Sequence, residues 1–143
     1  MKKINNIIGT LINGKKSTIT MDQLIGYPKD SLGFHLGRFL FNNSYEADPQ
    51  PELTDIHRVL ITKEVSNKEE IAMHYYLFGN GDLALKTLFI IGTGTLLYPQ
   101  HINIKYFYGR YRDGKNALRF YDLDHFRMLY LPLQRIKDTF LIR

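Results

Sequence analysis

The chain has no cysteine, and that absence removes disulfides, thiolate zinc sites, iron–sulfur clusters and thiol nucleophiles together. Any chemistry must run on His, Asp, Glu, Tyr or a bound ligand. A long hydrophobic run is also missing. The longest apolar stretch, Leu83 to Tyr98, is interrupted by Lys86, Thr87 and the pair Gly92/Gly94. A spanning helix needs about 20 apolar residues, so this stretch reads as a buried helix. The basic start Met1-Lys2-Lys3 leads into an apolar patch broken by Gly9 and Thr10, too weak for a signal-peptide core. The expectation is a soluble, cytoplasmic protein. Nucleophile motifs are absent as well. The four serines sit outside any Gly-x-Ser-x-Gly turn, and Gly92-Thr93-Gly94 lacks the lysine and strand context of a phosphate loop. Conventional hydrolase and nucleotide-binding classes fall away.

What is present suits a compact protein. The 143 residues fit one domain, and 44% hydrophobic with 13% aromatic residues supply a core rather than a disordered chain. The formal charge of +5 is unevenly placed. Up to residue 100 basic and acidic residues balance; beyond it nine Lys/Arg face four Asp/Glu. An anionic partner, such as a membrane surface, would be drawn to that last third.

Helical punctuation recurs and strand punctuation is scarce. Thr20-x-x-Gln23 and Ser66-x-x-Glu69 are capping boxes. Helices are predicted over 28–41, 55–61, 67–79, 82–98, 104–113, 122–130 and 132–139. Gly79-Asn80-Gly81 and Asp113-Gly114 read as helix ends. Strand-like alternation is limited to 13–20 and 118–121. The fold expected is all-α, a single-domain helical bundle of six or seven helices spanning 1–143. The helix 82–98, apolar nearly all round, is predicted to be central.

Three groups of residues could carry function. Asp55, His57 and Glu70 lie on consecutive helices whose packing would unite them as a metal or acid–base cluster; the plainer alternative is an Asp55–Arg58 ion pair at i, i+3. Leu88, Ile91, Gly92 and Thr95 surround a small-residue patch that either admits a neighbouring helix or leaves a groove for an apolar ligand. Lys105, Arg110, Arg112 and Lys115 form a basic set suited to a membrane or anion. The same segment, Tyr106–Arg112, has the aromatics to stack on bases, but its helical spacing and the lack of a recognised module argue against nucleic acid.

Several segments in order resemble the Coq-four family of coenzyme Q (ubiquinone) biosynthesis proteins. These are Tyr27-Pro28-Lys29-Asp30-Ser31-Leu32-Gly33-Phe34-His35, Asp55 through Leu60 with Glu70-Ile71-Ala72-Met73, Tyr111-Arg112-Asp113-Gly114-Lys115, and Asp122-Leu123-Asp124 through Leu131-Pro132-Leu133-Gln134-Arg135-Ile136. The likeness covers about residues 27–142, with 1–19 a poorly matched extension. It implies an all-helical protein that binds polyprenyl lipid and docks at the inner face of a membrane. Such a protein would act in quinone-ring modification, oxidative decarboxylation included, or organise other quinone-biosynthesis proteins. The family motif, His-Asp-x-x-His followed eleven residues later by Glu, is proposed to hold a divalent metal such as zinc. Here Asp55 and Glu70 keep their places, while Thr54 and Arg58 stand where the histidines would be. The resemblance therefore implies a degenerate metal site in which Arg58 supplies the positive charge. Metal-dependent enzyme, scaffold without ligand, and homodimer remain open alternatives.

Overall fold

The computed structural model describes residues 17–97 and 101–143. Among them are seven α-helices, one short 3-10 turn and no strand, the all-helical class expected. The chain divides into two compact units, Met1–Val59 with Asp124–Leu133, and Leu60–Leu123 with Gln134–Arg143.

In the first unit, α1 (Met21–Ile25) opens on the expected capping box: the Thr20 hydroxyl accepts from the Gln23 N–H at 3.3 Å, and the Gln23 side chain accepts from the Thr20 N–H at 2.9 Å. α2 (Leu32–Asn43) begins later than predicted. Pro28 accepts from the Ser31 N–H in a preceding turn, and Ser31 is the N-cap, bonding the Phe34 N–H at 3.1 Å. Its inner face is Leu32, Gly33, Leu36, Gly37 and Leu40, the i, i+4 rows of an amphipathic helix. Segment 129–133 runs beside the start of α2, with Leu32 and Gly33 donating to Leu131 and Leu129 at 2.9 and 2.7 Å. α3 (Leu53–Ile61) follows, its last two residues belonging to the second unit. The helix predicted at 122–130 shrinks to the 3-10 turn His125–Met128.

In the second unit, α4 (Asn67–Asn80), α5 (Leu85–Leu97), α6 (His101–Asn116) and α7 (Leu133–Phe140, but for its first residue) carry most of the structure. α4 packs against α6 through two glycines. A Cβ on Gly79 would lie 2.1 Å from the Tyr111 carbonyl oxygen, and one on Gly114 would lie 1.9 Å from that of Tyr76. The end expected at Gly79-Asn80-Gly81 is found, whereas the one expected at Asp113-Gly114 falls two residues inside α6; Gly79 and Gly114 both lie within helices, where they let two backbones touch. The left-handed C-cap of α4 is Gly81, at φ +116°.

Around this crossing Ala72, Ile71 and Phe107 form a core with Tyr75 and Tyr106 packed on it, and the Tyr75 and Phe107 rings stack at 5.1 Å. Segment 118–121 is not a strand. The buried Asn80 amide donates to the Gly114 and Leu118 carbonyls, each at 3.0 Å, and accepts from the Phe120 and Tyr121 N–H groups at 2.9 and 3.2 Å. Of the other predicted strand, 17–20 is irregular and 13–16 lies outside the described residues.

Candidate functional site

The Asp55 region is held by local bonds. One Asp55 carboxylate oxygen accepts from the Glu52 N–H at 2.9 Å and closes the first turn of α3. The other accepts from Arg58 at 2.7 Å. The ion pair at i, i+3 is therefore the arrangement found. His57 is buried, its ring edge-on to the buried His125 at 5.3 Å; sequence spacing gave no sign of that pairing, because 67 residues of chain separate the two. Thr54 is half-buried beside Asp55 on α3. Glu70 belongs to the second unit. Among the described residues no group of three or more His, Asp or Glu is placed to hold a metal ion. Both oxygens of Asp55 are engaged, one of them by the Arg58 cation.

Glu69, one half of the second predicted capping box, behaves differently from expectation. Ser66 does accept from its N–H at 3.2 Å, but the buried Glu69 carboxylate turns inward. It accepts from the Lys63 N–H at 3.1 Å and from the Tyr106 hydroxyl. Burial, reinforced by that acceptor, pushes the Tyr106 phenol up to about 12.

α5 reverses the expected placement. Its packed side is made of small residues: Thr87 and Gly94 are the buried ones, and a Cβ on Gly94 would lie 2.7 Å from the Ile71 side chain of α4. Four large apolar residues face outward, while Ile90 and Ile91 are half-buried. Leu85, Leu88, Phe89 and Leu96 are 85%, 41%, 71% and 81% exposed, and with Gly92 they recur at i, i+3, i+4, i+7 and i+11, a single stripe at 100° per residue. The helix is thus not central. Small residues allow α4 to approach closely, and that contact leaves the bulky side wet.

The predicted groove residues Leu88, Ile91, Gly92 and Thr95 share one flank of α5. Leu88 and Gly92 are exposed, Ile91 and Thr95 half-buried. Thr95 donates to the Ile91 carbonyl at 2.7 Å and accepts from the Tyr75 hydroxyl. On the opposite flank, α5 and α4 enclose a cleft of about 190 Å³, with Ile71, Ile90, Gly94 and Leu97 as its apolar lining and Asn67, Glu70 and Thr93 as its polar groups.

On α6, three of the four predicted cations share a face. Lys105, Arg112 and Lys115 are exposed together with Ile104 and Tyr108. Arg110 points the other way and is 3% exposed. Its guanidinium donates to the Ile61 carbonyl at 2.8 Å, the Arg143 main-chain oxygen at 2.9 Å and Asp113 at 3.0 Å, and lies 4.9 Å from the centre of the Tyr76 ring. It is a structural clamp, not a surface charge. Burial, then Arg110 and Lys63, lowers the nearby Lys137 ammonium. Among the described residues no helix is long and apolar enough to cross a membrane.

No family model matches the chain, and no curated protein matches it. Its fold is shared with a crystal structure of "a putative ubiquinone biosynthesis protein" from Nostoc punctiforme PCC 73102. The two superpose with a TM-score of 0.70 at 14% sequence identity, over 98% of this chain and 75% of that one. The likeness defines a class of helical fold.

Proposed function

We propose that this chain acts in quinone biosynthesis as a peripheral membrane protein that binds a prenylated or other hydrophobic ligand. The observation that carries the reading is the solvent face of α6, where Lys105, Arg112 and Lys115 stand beside Tyr108 and Ile104. Cations interleaved with an aromatic and an aliphatic side chain suit an anionic headgroup layer. The fold shared with a protein named for ubiquinone biosynthesis supports the pathway. The α4–α5 cleft supports the ligand, because Ile71, Ile90 and Leu97 would line a short apolar chain there while Asn67 and Glu70 offer polar contacts. Its volume is below the usual range for a whole ligand, so the cleft would take one segment of a longer chain.

In this reading the site needs no metal. The Arg58 guanidinium already neutralises Asp55, so zinc at one per chain in the purified protein would overturn that part. Vesicle flotation tests the rest. Anionic phosphatidylglycerol vesicles doped with a prenylated phenol should recruit the protein at low salt, and neutral phosphatidylcholine vesicles should not. Replacing Lys105, Arg112 and Lys115 together by Ala removes about 1 kcal/mol per cation, so recruitment should weaken roughly 100-fold. Equal recruitment to both vesicle types, or none to either, would refute the membrane reading.

A further inference from the structure

α5 presents a surface that neither the cleft nor the cationic face uses. Its outward stripe, Leu85, Leu88, Phe89, Gly92 and Leu96, contains no charge; Lys86 stands at its margin. Helices that lie in a membrane interface carry a strongly charged opposite face. The opposite side of α5 instead buries Thr87 and Gly94, the latter against Ile71 of α4. The stripe therefore matches an apolar protein surface better than a lipid one.

Gly92 gives that surface its shape. A Cβ there would meet nothing within 4 Å among the described residues, so their packing does not require the glycine. It forms a notch flanked by Leu88 and Leu96, each four residues away and therefore about 6 Å along the axis. We propose that the stripe is a self-association surface on which a second copy of this chain docks, with α5 antiparallel to α5 about a two-fold axis at Gly92. A two-fold contact must be self-complementary. Here Leu88 of one copy meets Leu96 of the other, twice, and the two notches let the helix backbones approach.

The area is adequate for a reversible dimer. The exposed fractions of the four large side chains amount to on the order of 500 Å² per copy, at roughly 150–200 Å² for a fully exposed large side chain. Two copies then bury roughly 1,000 Å², the lower limit of a specific interface. The pairing is concentration-dependent and carries no like-charge penalty across its centre.

Because the chain has no cysteine, one introduced thiol reports the geometry. Gly92→Cys should form a disulfide-linked dimer under mild oxidation, since a two-fold at Gly92 brings the Cα atoms within the range of roughly 4.4–6.8 Å that a disulfide spans. Gly109→Cys on α6, another position where a Cβ meets nothing within 4 Å, should not. Sedimentation velocity should show a monomer–dimer equilibrium for the wild type. Phe89→Asp should shift it at least roughly tenfold toward monomer, with unchanged helicity because Phe89 is largely exposed. A wild type that stays monomeric at every concentration overturns the proposal, as does cross-linking no stronger at 92 than at 109. A monomeric wild type whose vesicle binding is lost in Phe89→Asp also overturns it, and makes the stripe a lipid contact.

Discussion

Asn80 offers the sharpest test of how the second unit is held together. Its amide makes four hydrogen bonds: two donated, to the Gly114 and Leu118 carbonyls, and two accepted, from the Phe120 and Tyr121 N–H groups. That exhausts the group, because a side-chain amide has two donors and one oxygen with two lone pairs. Asn80→Ala leaves all four backbone partners without it. A net loss of about 1 kcal/mol per bond gives a cost of about 4 kcal/mol, a large share of the stability of a small protein. Asn80→Asp separates the two halves of the network. The carboxylate still accepts from Phe120 and Tyr121 but points an oxygen at the Gly114 and Leu118 carbonyls, where only a donor fits. Its pKa should therefore be raised above the ordinary value of about 3.9. A group raised in the fold stabilises when protonated, so the variant should be most stable at low pH and lose stability as pH rises through that pKa. Urea titration followed by circular dichroism, repeated from pH 4 to pH 8, measures both effects. A cost below about 1 kcal/mol for Asn80→Ala would refute the network argument. So would a difference between the Asp and Ala variants that ignores pH.

Two further outcomes follow from the same unit. Gly114→Ala places a methyl 1.9 Å from the Tyr76 carbonyl oxygen and should cost about 3 kcal/mol by forcing α4 and α6 apart, whereas Gly109→Ala, on the same helix with nothing within 4 Å, should stabilise by about 0.5–1 kcal/mol; thermal melts of the two variants should move in opposite directions. Burial holds the Tyr76 and Tyr106 phenols up to about 12. Their folded values lie above the unfolded 10, so their contribution is intact below pH 10 and lost as pH rises from 10 toward 12. Ultraviolet titration of the ten tyrosines should show a late-ionising component that Tyr106→Phe reduces, and its absence would refute the burial argument.

The all-helical class was legible because its signals are local. Caps at Thr20 and Ser66 and apolar spacing at 3.6 residues need no knowledge of the rest of the chain, and both caps form. The end at Gly79-Asn80-Gly81 is local in the same way and is found, but the contact role of Gly79 and Gly114 is not local. A glycine that ends a helix and a glycine that admits a second backbone look alike in one sequence, and only the partner helix separates them. Nothing local marks Asn80 within Gly79-Asn80-Gly81, since its four partners lie 34 to 41 residues away. Arg110 is separable from the surface cations by helical spacing alone. Lys105, Arg112 and Lys115 fall at i, i+7 and i+10, within 80° of one another around the helix, while Arg110 at i+5 lies about 140° from Lys105. A helical wheel separates the clamp from the surface cations.

α5 shows a different kind of failure, and it bears on function. An apolar helix without a polar side carries no information about which way it faces, and abundance of Leu, Ile and Phe suggests depth. Direction came instead from the small residues. Thr87 and Gly94 are seven residues apart on one buried side, where α4 packs closely at Gly94, and the bulky residues are left outside by exclusion. Keeping roughly 500 Å² of apolar surface in water forgoes on the order of 10 kcal/mol of burial free energy. The same helix could have packed its large face inward against α4, with Thr87, Lys86 and Thr93 toward solvent, so the wet stripe is not forced by a shortage of polar residues. A surface held out at that cost makes sense if something covers it. The Gly92 notch at its centre, unused by packing among the described residues, favours a second α5 as that cover. The cations of α6, on a separate face, then stay available for an anionic lipid surface in either association state.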